Sequence, residues 1–181
     1  MFDRLRASRS GRRKYSRWAL WFATASAVWA AAMPMAAVAA AQQAPGALGY
    51  LFAVFVYATG SIVCHQLPAR SFHLWTRQLP VCARCTGIYA GAAIGAVVAL
   101  AALAGPTAPT RGISARGERA IAVAACVPTA ATLLFEWTTG VMPSNAIRAI
   151  AGAALGAPIA WLVARFLASA GPHKADAGLI H

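Results

Sequence analysis

Three cysteines, two histidines and three arginines crowd into C-H-Q-L-P-A-R-S-F-H-L-W-T-R-Q-L-P-V-C-A-R-C, residues 64–85. Thiolates and imidazoles are soft metal ligands, and Cys82-x-x-Cys85 with Cys64 upstream and His65 as a fourth donor makes a Cys3His set of the kind that holds zinc tetrahedrally. His73 reads as an interfacial residue instead. The same Cys82/Cys85 pair supports a second chemistry, thiol–disulfide exchange, and a third reading leaves the cysteines as small packing residues in a tight turn. Further along, Glu136, Asn145 and Arg148 form another polar group. Glu136 and Arg148 either pair with each other or leave Arg148 and Asn145 to bind or carry a lipid headgroup or small anion, with Arg70 and Arg84 sharing the charge. Cys126, inside an apolar run, is expected to pack. No Ser-His-acid set and no paired carboxylates occur, so hydrolysis is not expected. No catalytic residue is assigned, and the chain reads more readily as a binding protein than as an enzyme.

The elements that carry these groups are set by composition. Hydrophobic residues make up 60% of the 181 positions and charged residues 11%, with mean hydropathy +0.60. A soluble domain runs at about 45–50% apolar and about 25% charged, so the balance points to lipid. Five apolar runs reach the roughly 17–25 residues a helix needs to cross a bilayer: 18–41, 47–63, 86–104, 120–141 and 146–167. The fourth contains Glu136; the fifth contains Arg148 and Arg165, the latter able to snorkel to the interface. The expected fold is therefore all-α, a polytopic transmembrane helical bundle of about five helices. It has four if the first run is a signal peptide cut after the small residues at 37–41. Domain organisation follows: a basic leader at 1–17, one helical domain at 18–168 and a flexible tail at 169–181.

Orientation comes from the basic residues. Seven of sixteen Lys and Arg precede the first run and none lies in 42–46, so the positive-inside rule expects a cytoplasmic N-terminus in the cell inner membrane. If every run crosses, the 64–85 loop is cytoplasmic, where thiols stay reduced and metal is favoured over a standing disulfide. Arg111, Arg116 and Arg119 then fall outside, against the same rule. The leader contributes +6 of the net +12, seven basic residues less Asp3. It reads as a topology signal that touches anionic headgroups. With only Tyr15 interrupting it and no recognition fold around it, nucleic acid is not an expected partner.

Parity then brings the end of the second helix, the start of the third, the end of the fourth and the start of the fifth to one membrane face. Pro80 suits a first helical position, which starts the third helix near Val81 and puts Cys82 and Cys85 together in its first turn. Ser144 is the expected N-cap of the fifth. Gly87, Gly91 and Gly95, with Gly152 and Gly156, make small-residue stripes that let these two helices pack closely on each other or on a second copy in a homo-oligomer.

Three blocks carry a resemblance. C-H-Q-L-P-A-R-S-F at 64–72, P-V-C-A-R-C-T-G-I-Y-A-G at 80–91 and S-N-A-I-R-A-I-A-G at 144–152 are similar to the signature blocks of the domain of unknown function 2085 family, small prokaryotic membrane proteins, over roughly 51–158. In that family an acidic residue followed by glycine precedes the third block, whereas here Glu136 is followed by Trp137. The resemblance implies an integral membrane protein. It singles out Cys64, His65, Gln66, Pro68, Arg70, Cys82, Arg84, Cys85, Tyr89, Asn145 and Arg148, and implies no reaction.

Overall fold

The computed structural model describes residues 17–42, 44, 46–104 and 113–169. The leader before Arg17, Arg111 and the tail beyond Ser169 lie outside them. Five α-helices follow in order: α1 (Arg17–Ala41), α2 (Ala47–Val63), α3 (Ala83–Ala104), α4 (Ala115–Thr139) and α5 (Asn145–Ser169). Between α2 and α3 come a single 3-10 turn, Pro68–Arg70, and a two-residue antiparallel ladder, β1 (His73–Leu74) with β2 (Arg77–Gln78). Among the described residues, four helices are long and apolar enough to cross a membrane; α2, at 17 residues, is the shorter apolar one. Large apolar side chains such as Trp21, Phe55, Val123, Trp137 and Phe166 face outward, as a bundle solvated by lipid requires.

The core is an alanine and glycine contact. A Cβ on Gly87 would strike the backbone of Ala149; one on Gly91, Ala153; one on Gly95, Ala157. In return, Gly152 lies against the backbone of Arg84 and Gly156 against that of Ile88. The pairs advance together along both helices, so α3 and α5 are parallel. Both glycine stripes are in contact within one chain. Helix α1 joins the same core, with Ala23 among Ala96, Ala99, Ala160 and Ala164. Further up, Met33 packs on Val81 and Cys64, and Trp29 meets Tyr89 edge to face at 6.0 Å. Early α1 thus lies beside late α3, and late α1 beside the start of α3. The two run antiparallel.

That direction corrects the expectation that every run crosses, while the end of the second helix, the starts of the third and fifth and the end of the fourth still share one face. If α2 crossed from end to end, α1 and α3 would run the same way. Instead α2 begins just after the C-terminus of α1, and Cys64, its C-terminal cap, is packed on Met33. Met33 is eight residues before Ala41, about 12 Å of helix, whereas 17 residues make about 26 Å. The descent is cut short because Gly60 lets the Pro80 carbonyl approach closely. The Gln66 amide then ties the Tyr57 carbonyl (2.8 Å) to the Pro80 carbonyl (2.7 Å). So α2 begins and ends in the same half of the bundle, and the Cys64–Cys85 segment lies at the end opposite the start of α1. Replacing Gly87 by Val is expected to destabilise the bundle by about 3 kcal/mol or more, as overpacking against an unyielding backbone does. Gly46→Ala, which meets nothing within 4 Å, should be neutral. Thermal unfolding of both variants in detergent checks the contrast.

Candidate functional site

The helix boundaries position the cysteines. Cys64 closes α2 in an extended conformation, its N–H bonded to the Gly60 carbonyl. Cys82 immediately precedes α3; its carbonyl accepts the Thr86 N–H (2.9 Å) and the Thr86 hydroxyl (3.1 Å), which makes it the N-cap. Cys85 is the third helical residue. The expected helix start at Val81 is therefore two residues early. Pro80 belongs to the bend whose carbonyl Gln66 holds, so the chain turns helical only after Cys82. The Cys82 N–H in turn donates to the Cys64 sulfur at 3.1 Å. All three sulfurs fall within 4.8 Å of one another.

The electrostatics separate the thiols. A hydrogen bond from the Cys85 side chain, helped by the Cys85 and Arg84 backbone N–H groups and the Cys64 side chain, lowers the Cys82 pKa to about 5, against burial that raises it. This is the anion preference of a helix N-terminus acting on an N-cap sulfur. His65 is exposed and stands outside the thiol group, although it lines the same cavity. His73 is exposed on β1, in line with an interfacial role. Cys126, expected to pack, is exposed on α4; an apolar run does not say which of its faces meets lipid.

The second polar group converges on the same place. Glu136, in the last turn of α4, accepts Arg70 at 2.6 Å and Arg148 at 2.9 Å. The pairing of Glu136 with Arg148 is as expected; Arg70 makes it a triad. Arg84 donates to the Thr132 hydroxyl at 3.2 Å. Asn145 donates to the Ser71 carbonyl at 3.1 Å, which anchors the turn after Arg70 to the start of α5. The Ser144 hydroxyl caps that helix by accepting the Ile147 N–H at 3.3 Å. A cavity of about 340 Å³ unites the groups: Cys64, His65, Cys82, Cys85, Arg70, Arg84 and Arg148 all line it.

Of the supporting residues, Gln66 was singled out by the resemblance without a role, and Tyr57 and Thr132 were not foreseen. Gln66, at φ 49°, is the clasp of the segment, holding two carbonyls while its own carbonyl accepts the Gln78 amide at 2.9 Å. The Tyr57 hydroxyl donates to the Gln78 carbonyl. Thr132 had no signal at all, being one of four threonines in α4, 48 positions from Arg84.

The family model described as predicted membrane protein, DUF2085, matches residues 64–162, more than half of the chain, and so takes in the whole thiol and arginine cluster. The chain belongs to this family. Two curated relatives share short stretches with this DUF2085 chain. An uncharacterized protein of Methanocaldococcus jannaschii is 44% identical over 45 residues, 25% of this chain and 29% of that protein. An uncharacterized protein of Methanothermobacter thermautotrophicus is 53% identical over 30 residues, 17% and 27% of the two chains. The matches thus span less than a third of either relative. No solved structure matches.

A thiol held at pKa about 5 stays ionised well below the ordinary thiol range near 8.5. Alkylation of Cys82 should therefore remain fast at pH 6 and slow only as the pH falls through about 5. Mass-spectrometric quantification of the labelled Cys82 peptide across pH measures it.

Proposed function

We propose that this membrane protein binds a soft divalent metal ion, zinc by preference, through Cys64, Cys82 and Cys85. The observation that carries the reading is the convergence of three sulfurs within 4.8 Å. Tetrahedral zinc with Zn–S bonds near 2.3 Å spaces its sulfurs about 3.8 Å apart, so the cluster needs only a small contraction. His65, on the wall of the same cavity, is the nearest candidate for a fourth donor. An ionised Cys82 supports the reading, because thiolate is the ligating form. Metal analysis of detergent-purified protein should find about one zinc per chain, lost in Cys82→Ser/Cys85→Ser. Wild-type protein without metal, from preparations never exposed to chelator, would overturn the assignment.

The face of the membrane also follows from charge. Twelve of sixteen Lys and Arg (Arg4, Arg6, Arg9, Arg12, Arg13, Lys14, Arg17, Arg111, Arg116, Arg119, Arg165, Lys174) belong by chain connectivity to the end where α1 starts. Only Arg70, Arg77, Arg84 and Arg148 belong to the other. With a cytoplasmic N-terminus in the inner membrane, four crossings put the larger share of the basic residues inside, including the 105–119 segment that five crossings leave misplaced, while Arg70, Arg77, Arg84 and Arg148 stay outside. The thiol cavity then opens away from the cytoplasm. Exposed Ala69, replaced by cysteine, should react with a membrane-impermeant maleimide in intact cells; labelling only after lysis would return the site to the cytoplasmic face.

That compartment favours a second reading. Outside the cytoplasm thiols oxidise unless a metal holds them, and an acidic Cys82 beside Cys85 is suited to disulfide exchange. Acid-quenched protein carrying a Cys82–Cys85 disulfide and no metal would select it.

A further inference from the structure

The cavity that the thiols line also carries charge that the protein leaves unbalanced. Among the described residues, the carboxylates are Glu136 here and Glu118 in the first turn of α4, at the opposite end. Glu136 is already divided between Arg70 and Arg148. Three guanidinium groups and one carboxylate leave +2. Ionising Cys82 alone brings this to +1, and three thiolates around a divalent metal, together −1, bring it to the same value.

The unused donors point to where a counter-ion belongs. The Arg148 side chain is 3% exposed, yet its Nε has no hydrogen-bond partner, and the Nε of Arg84 is likewise enclosed without one. Both arginines line the cavity. A buried guanidinium with an unmet donor is costly unless an acceptor reaches it. Nearby, the Asn145 amide is committed to Ser71 and Arg70 to Glu136 at the rim. A space of about 340 Å³ is within the usual range for a small ligand, about 300–1,000 Å³.

We propose that the cavity holds a phosphate-type oxyanion between Arg84 and Arg148, beside the three thiols. The guanidinium edges supply parallel N–H donors suited to tetrahedral oxyanions. The group belongs either to free phosphate or to a phospholipid headgroup entering from the bilayer. The assignment does not depend on metal: the anion answers the arginine charge, which is present with or without zinc.

The test is calorimetric titration of detergent-purified protein at 0.15 M salt with two probes, inorganic phosphate and short-chain phosphatidic acid. Saturable binding of phosphate identifies the free ion. Saturable binding of phosphatidic acid alone identifies the headgroup. In either case Arg84→Gln should weaken binding at least tenfold, Arg77→Gln on the exposed hairpin should leave it within twofold, and Cys82→Ser/Cys85→Ser should retain it. Arg84 is chosen because its removal leaves the Glu136 pairs intact. Arg148→Lys, which keeps the charge but loses the Nε donor, should weaken binding as well. Absence of saturable binding by both probes overturns the proposal, as does an equal loss in Arg77→Gln and Arg84→Gln. Wild-type protein that holds no metal but binds the anion would refute the zinc reading alone.

Discussion

The contact between the glycine stripes of α3 and α5 fixes everything else. In lipid there is no hydrophobic drive between helices, so close backbone approach and the van der Waals contact it allows must do the joining. Five glycines facing alanine and helix backbone achieve that over about three turns. Because the two helices are parallel and in register, their N-termini arrive side by side. That register delivers Cys82, Arg84 and Cys85 from the start of one helix and Arg148 from the other to a single cavity.

Charge explains the layout of that end. Ionisable groups near the bilayer are tolerated where they face protein and pair. Glu136 answers two arginines from different segments and so ties the 3-10 turn, α4 and α5 together. Breaking a buried pair is far costlier than its formation is stabilising, so this triad specifies arrangement more than it adds stability. Arg84 has only a hydroxyl partner, which is why the cavity retains positive charge next to an acidic thiol.

The short α2 links topology to chemistry. Since its end is caught by Gln66 and Pro80 rather than released at the far end of the bundle, Cys64 returns to the start of α3 and its sulfur accepts the Cys82 N–H. A crossing helix would have carried Cys64 away from the half of α1 to which it is now packed. The same turn places the thiols at the end of the bundle opposite the start of α1.

Composition and run length determined that the chain is an all-helical membrane bundle, because hydropathy and length alone decide what lipid accepts; the run ends fall within a few residues of the observed helices, apart from the start of α4. The spacing of Cys82 and Cys85 and the seryl cap at Ser144 were also legible, since each depends on neighbours three residues apart. The direction of α2 was not. A 17-residue apolar run is compatible with crossing or with stopping short, and the choice rests on contacts between Gln66, Tyr57 and Pro80 that no periodicity encodes. The partners of Arg84 and Asn145, 48 and 74 positions away respectively, were equally invisible. Local geometry follows from adjacent residues, whereas the site forms only where packing brings distant segments within hydrogen-bond reach.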